Sequence, residues 1–162
     1  KLNNDSLEHK EINSEFYSPL SSERIIIKNK YTKNNALNDL IDLISASPQV
    51  IDKNLLREGI IEREKIMSTG IGFGIAIPHV RSDAVTNLVM AVGVFKYGID
   101  DYESLDNKSV NIICLIAAKE NQHKEYLNML SMISARLKES FVRKEILNSN
   151  DKKAICDLLI NN

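Results

Sequence analysis

The segments NLVMAVGVF at 87–95 and SVNIICLIAA at 109–118 constrain the fold more than any other part of the sequence. Both are nearly continuous in apolar residues and rich in Val and Ile, yet they fall far short of the ~20 residues a membrane-spanning helix requires. A strand that is apolar at every position needs cover on both faces, so these segments read as central strands of a buried sheet. Amphipathic helices are available for that cover. KNNALNDLIDLISAS at 33–47 places Leu37, Leu40, Ile41 and Ile44 on one helical face and stops near Pro48. DKNLLREGIIEREKIM at 52–67 has Asp52 as N-cap and Leu55, Leu56, Ile60 and Ile61 facing inward, with Gly59 as its weak point. HKEYLNMLSMISARLKES at 123–140 carries Leu127, Leu130, Ile133, Ser134 and Leu137 in one stripe, and shorter helices are expected around VRKEILNS and KKAICDLLIN. ERIIIK at 23–28 reads as a short strand, and KYGIDDYESLDNKS, between the two apolar segments, as a polar loop. Interleaved helices and buried strands give an α/β domain with its sheet between helical layers.

With 162 residues, 43% of them hydrophobic and 27% charged, the chain suits one soluble domain with its own core. That domain is expected over 23–162, with 1–22 set apart as a polar leader or linker. KLNNDSLEHKEINSEFYS at the start shows no sustained periodicity, and His9 within it reads as solvated. The segment fits a linker, a remnant of a longer chain or a tail that docks elsewhere. A formal net charge of −1 leaves no basic excess for a phosphate backbone or an anionic bilayer. The densest basic stretch, KNKYTKNN at 28–35, reads as a solvated loop. Neither nucleic-acid binding nor membrane insertion is expected. Cys114 and Cys156 lie in apolar runs without a further Cys or His at ligand spacing, which predicts buried, reduced thiols and no metal. With no signal-peptide core at the N-terminus, a cytoplasmic location is the expectation.

TGIGFGIAIPH at 69–79 carries the chemistry. Its glycines invite comparison with phosphate-cradling loops, but Ile75 stands where a dinucleotide fingerprint needs its third glycine, and no Gly-Lys-Ser or Gly-Lys-Thr is present. The plainer reading makes Gly70, Gly72 and Gly74 an irregular turn and His79 an ordinary strand-end residue. Pro78, however, fixes its own φ and so holds the next residue at a defined place. The glycines would let backbone pass close beneath the imidazole. A neutral imidazole with one nitrogen fixed and the other exposed is a competent nucleophile toward phosphorus.

REKIMSTGIGFGIAIPH at 63–79 resembles the active-site signature of the enzyme IIA domains of the bacterial phosphoenolpyruvate-dependent sugar phosphotransferase system, in the fructose and mannitol class that includes nitrogen-regulatory IIA proteins. The resemblance continues through LVMAVGVFKYGIDDYESLDNKSVNIICLIAA and KEYLNMLSMISARL and covers roughly residues 33–160. It implies a single domain whose mixed β-sheet is sandwiched between helices. It implies a phosphotransferase without cofactor, in which His79 accepts a phosphoryl group from an HPr-type phosphocarrier protein and passes it to a IIB partner. Arg63 matches an arginine near that histidine, and a guanidinium suits the equatorial oxygens of a transferring phosphoryl. Ser68 and Thr69 match as phosphate-binding hydroxyls or as turn formers. Phe73 stands where the family commonly has Asn or Glu. Tyr126 stands where many members have a second histidine, and His123, one turn earlier, is the alternative assistant. Phe73, Ile71 and Val80, with Arg81 beside them, are the expected rim of a partner surface.

Three readings follow. The first is the phosphocarrier just described. The second is a regulatory module, a nitrogen-type IIA protein or a IIA-like domain, whose phosphorylation state controls a protein partner. The third is a non-catalytic relative that binds a small anion at the glycine-rich turn.

Overall fold

The computed structural model describes residues 18–160. A short 3-10 turn, Ser22–Arg24, leads into β1 (Ile25–Lys28), α1 (Lys33–Ser45) and α2 (Lys53–Ile66). Three short strands follow, β2 (Gly70–Gly72), β3 (Ile75–Ala76) and β4 (His79–Arg81), then the long strands β5 (Val89–Ile99) and β6 (Val110–Ala118). Helices α3 (His123–Lys138), α4 (Ser140–Asn148) and α5 (Lys152–Ile160) complete the fold. The strands form one sheet in the order β1-β5-β6-β3-β2, with β4 also on β6. Pairing is mixed: β5 and β6 are antiparallel, whereas β1 on β5 and both β3 and β4 on β6 are parallel.

The two apolar segments are the central strands. Their period of two distributes side chains to two cores. Val89, Ala91, Phe95, Ile113, Leu115 and Ala117 face α1 and α2. Met90, Val92, Val94, Ile112, Cys114 and Ile116 face α3, α4 and α5. Both cysteines are buried free thiols, and burial pushes Cys114 up to about 12.

Caps and periodicity account for the helices. Asp52 accepts from the Leu55 N–H at 3.0 Å as N-cap of α2, and Thr32 accepts from Asn35 N–H at the start of α1. Two inward assignments need correction. Leu55 is 42% exposed and Leu127 46% exposed. The buried stripe of α2 runs through Leu56, Ile60 and Glu64, and that of α3 through Ile133 and Leu137, so each misplaced leucine lies off its stripe. The domain boundary also moves. Leu20 is buried in the second core, Pro19 O accepts from Met90 N–H at 2.8 Å, and Arg24 Nε donates to Met90 O at 3.0 Å. Residues 18–22 are therefore part of the packed domain, and the rest of the leader, with His9, lies outside the described residues. Finally, the polar loop between the long strands is shorter than expected and contains a buried residue, Tyr102 at 2% exposure.

Candidate functional site

β3 and β4 are one strand interrupted by Ile77 and Pro78. Ile75 pairs with Ile112 and His79 with Ile116 at the same offset, so the register survives the break. Pro78 lacks an N–H for the ladder, but its carbonyl still accepts from Ile116 N–H at 3.0 Å. His79 thus opens a strand rather than ending one, at a position fixed by β6.

The imidazole is half-buried. Its Nδ1 lies 2.5 Å from the Ile77 carbonyl oxygen, which can only accept, so Nδ1 carries the proton and Nε2 keeps its lone pair. Burial lowers the pKa of His79 below its ordinary value, and the Arg63 charge lowers it further. The bond to Ile77 and the Glu64 carboxylate act in the other direction without reversing the shift. A neutral imidazole with a free Nε2 is the result.

Arg63, in the last turn of α2, donates from Nη1 to Met67 O at 2.8 Å. Glu64, next to it, is 8% exposed and accepts from both the N–H and the hydroxyl of Thr69, at 3.1 and 2.7 Å. Lys33 Nζ pairs with the same carboxylate at 3.0 Å and stands 4.5 Å over the Tyr102 ring. Because the Thr69 hydroxyl gives its only proton to Glu64, the Tyr102 hydroxyl, 2.7 Å away, is the donor to Thr69 Oγ1. Burial would raise the Glu64 carboxyl, but the bonds from Thr69 and Lys33 outweigh it and hold it below its ordinary value. Burial drives the Tyr102 phenol well above its usual range and keeps it a neutral donor.

Gly70 lets the 100–109 loop dock here. A Cβ on Gly70 would stand 2.2 Å from Glu103 O, so only glycine permits the contact. The close approach serves this loop rather than the imidazole.

On the other side of His79 stands α3. The Tyr126 ring centroid lies 5.7 Å from that of His79, tilted by 52°, and Arg81 Cζ lies 5.9 Å from the Tyr126 centroid. His123, the first residue of α3, is exposed. Of the two expected assistants, Tyr126 is the one that faces His79.

Thr69 is 4% exposed with its hydroxyl held within the Glu64 network. Ser68 is a turn former, donating to Glu103 O at 2.6 Å and accepting from Gly70 N–H. Ile71 and Val80 are half-buried and pack into opposite cores. Phe73 sits at the far end of the interrupted strand. The registers place Ile75 opposite Ile112 and His79 opposite Ile116, four residues or ~13 Å of extended chain apart, and Phe73 lies in the β2–β3 turn beyond Ile75. Its φ is 58°, Asp106 accepts from its N–H, and Arg143 stacks on its ring at 5.1 Å. Sequence reasoning missed Glu64, Lys33 and Tyr102. The adjacency of Arg63 and Glu64 was a visible signal, but the 69–102 and 33–64 contacts are long-range.

Comparison with known proteins gives concordant matches. The family described as "Phosphoenolpyruvate-dependent sugar phosphotransferase system, EIIA 2" matches residues 18–162. The chain is 35% identical over 127 residues to the fructose-specific EIIABC component of Bacillus subtilis, covering 78% of the chain and 20% of that protein, so it spans about a fifth of that relative. It is 32% identical over 128 residues to the fructose-specific EIIA component of Haloferax volcanii, covering 79% and 82%. It is 27% identical over 129 residues to a nitrogen regulatory protein of Pseudomonas aeruginosa, covering 80% and 83%. The fold matches the nitrogen regulatory protein IIA-Ntr of Neisseria meningitidis with a TM-score of 0.79 at 23% identity, covering 87% and 96%. It also matches the complex of enzyme IIA and phosphorylated enzyme IIB for mannitol from Escherichia coli with a TM-score of 0.73 at 21% identity, covering 88% and 98%. The expected mixed sheet between helical layers is the fold observed.

Proposed function

The chain belongs to the type-2 EIIA family of the phosphoenolpyruvate-dependent sugar phosphotransferase system, and we propose that His79 carries its chemistry as a transient phosphohistidine. It is a phosphotransferase component of that system. The observation that carries the residue assignment is the half-buried imidazole whose Nδ1–H is held by the Ile77 carbonyl, leaving Nε2 free in a ring that feels the Arg63 charge.

The donor in this reading is an HPr-type phosphocarrier protein bearing a phosphohistidine. The Nε2 lone pair forms the new N–P bond as the donor's N–P bond breaks, and that electron pair returns to the donor ring. The proton stays on His79 Nδ1, donated to the Ile77 carbonyl, throughout. Arg63 balances charge on the equatorial oxygens, as a guanidinium fork does for transferring phosphoryl groups. In the second transfer the nucleophile of a IIB partner forms its bond to phosphorus as the Nε2–P bond breaks and that electron pair returns to the His79 ring, a reading supported by the mannitol relative's complex with phosphorylated IIB. A cytoplasmic site of action is part of this proposal.

The test is intact mass after incubation with phosphoenolpyruvate, enzyme I and HPr. An acid-labile phosphoryl adduct is expected on the wild type and absent from His79→Ala; an adduct that survives the substitution contradicts the assignment.

A second reading is supported by the similarity to nitrogen regulatory proteins. In it the same phosphohistidine sets the affinity for a regulated protein. Discharge of the phosphoryl group by a IIB domain supports transfer. Binding of a protein in one phosphorylation state without discharge supports regulation.

A further inference from the structure

We propose that Arg81 is a second cation for the phosphoryl group on His79, held in position by the ring of Tyr126. The inference rests on the reading of His79 as the phosphoryl acceptor and extends its binding machinery to the α3 side.

Strand geometry brings the two residues together. His79 and Arg81 alternate with Val80 along β4, so they share a face of the sheet. They pair with Ile116 and Ala118, both of which face α3, α4 and α5. Val80 points to the opposite core, where its Cγ2 would lie 3.2 Å from a Cβ on Gly59 of α2. Ser82 N–H donates to Ala118 O at 2.8 Å just beyond the strand. The strand is therefore held on both faces and at its end, and His79 and Arg81 stand ~7 Å apart at the usual rise, within reach of one phosphoryl group.

Tyr126 supplies a common platform. Its ring lies 5.7 Å from the His79 ring and 5.9 Å from Arg81 Cζ, distances of an aromatic pair and a cation–π contact. Arg81 is exposed and donates from Nη1 to Glu120 O at 3.3 Å. Among the described residues no carboxylate forms an ion pair with it. Most of its five N–H groups remain free for an anion. An arginine with no carboxylate partner, stacked on the ring that also packs against the imidazole, suits the dianion that phosphorylation creates. Arg63 approaches from α2 and Arg81 from β4, so the phosphoryl oxygens would meet a guanidinium on each side. Tyr126 acts through Arg81 and is a positioning residue.

The experiment measures phosphorylation rates of the whole chain with phosphoenolpyruvate, enzyme I and HPr, together with the 31P titration of the phosphorylated protein. Arg81→Gln is expected to slow phosphoryl acceptance by roughly tenfold or more, by analogy with loss of one preorganised donor. It should also move the phosphoryl group's titration to higher pH, a shift that a purely structural role would not produce. Arg81→Lys keeps the charge without the fork and should recover part of the rate. Tyr126→Leu removes the platform and should lose rate in the direction of Arg81→Gln, and Tyr126→Phe, which restores the ring, should recover part of that loss. An unchanged rate and an unchanged 31P titration in Arg81→Gln, with the His79 adduct intact, overturn this inference alone. A wild type with no His79-dependent adduct overturns it together with the reading on which it rests.

Discussion

On the α2 side of His79, Lys33, Glu64, Thr69 and Tyr102 satisfy one another in a buried network. On the α3 side, a half-buried tyrosine packs against both the imidazole and an exposed arginine. The first wall draws on α1, α2, the turn before β2 and the 100–109 loop, and it fixes where Arg63 leaves its helix. The second wall is open and its cation has no carboxylate partner. A phosphoryl carrier needs both kinds of surface. The nucleophile must be held without motion, and the charge that arrives must find donors not already paired within the protein. A fully paired wall is rigid but has little to offer an incoming anion.

The largest expected effect breaks the rigid wall. Glu64→Ala leaves Lys33, the Thr69 hydroxyl and the Tyr102 network without their acceptor, and the expected loss is roughly 3 kcal/mol, read as a lower urea midpoint. If the midpoint does not move, the network is not what holds this wall. Tyr102→Phe removes one donor and keeps the ring, so a smaller loss of about 1 kcal/mol is expected by the same measurement.

Acidification sharpens the comparison. The lowered pKa of His79 means that the unfolded chain binds its proton more tightly than the folded one. Stability therefore rises with pH through the interval between the folded value and the ordinary ~6.5, and it is lost as pH falls through that interval. His79→Gln should flatten this part of the curve of urea midpoint against pH. Glu64 behaves in the same sense at lower pH, because its carboxyl is held below its ordinary value and its contribution is lost as it protonates. The smallest effect belongs to Phe73. Lying beyond both walls, Phe73→Asp should leave the rate of phosphoryl acceptance within about twofold, given how little a distant surface substitution usually does. A clear slowing would place the exposed Phe73 ring on the partner surface.

The proposed chemistry was more legible in the sequence than its support. His79, Pro78 and Arg63 lie within one stretch of 17 residues, and their spacing is readable because the turn and the interrupted strand are local. The two long strands were legible because burial on both faces leaves an unmistakable apolar run. Lys33 and Tyr102 were not legible, since each reaches Glu64 or Thr69 across the fold and reads in sequence as an ordinary solvated residue. Leu20 misled in the opposite direction: one apolar residue in a polar leader carries no period, yet it is buried against β5 and α5. Leu55 and Leu127 failed because a helix phase error of one residue turns a side chain by ~100°.

The central claim is that His79 is neutral with its proton on Nδ1, and that Nε2 receives phosphorus. The most direct measurement is a long-range 1H–15N correlation spectrum of the His79 ring near neutral pH, before and after phosphorylation, with phosphorus coupling read on the ring nitrogens. The account predicts an Nδ1–H tautomer in the free protein and phosphorus on Nε2 in the phosphorylated one. An Nε2–H tautomer, or phosphorus on Nδ1, would contradict it.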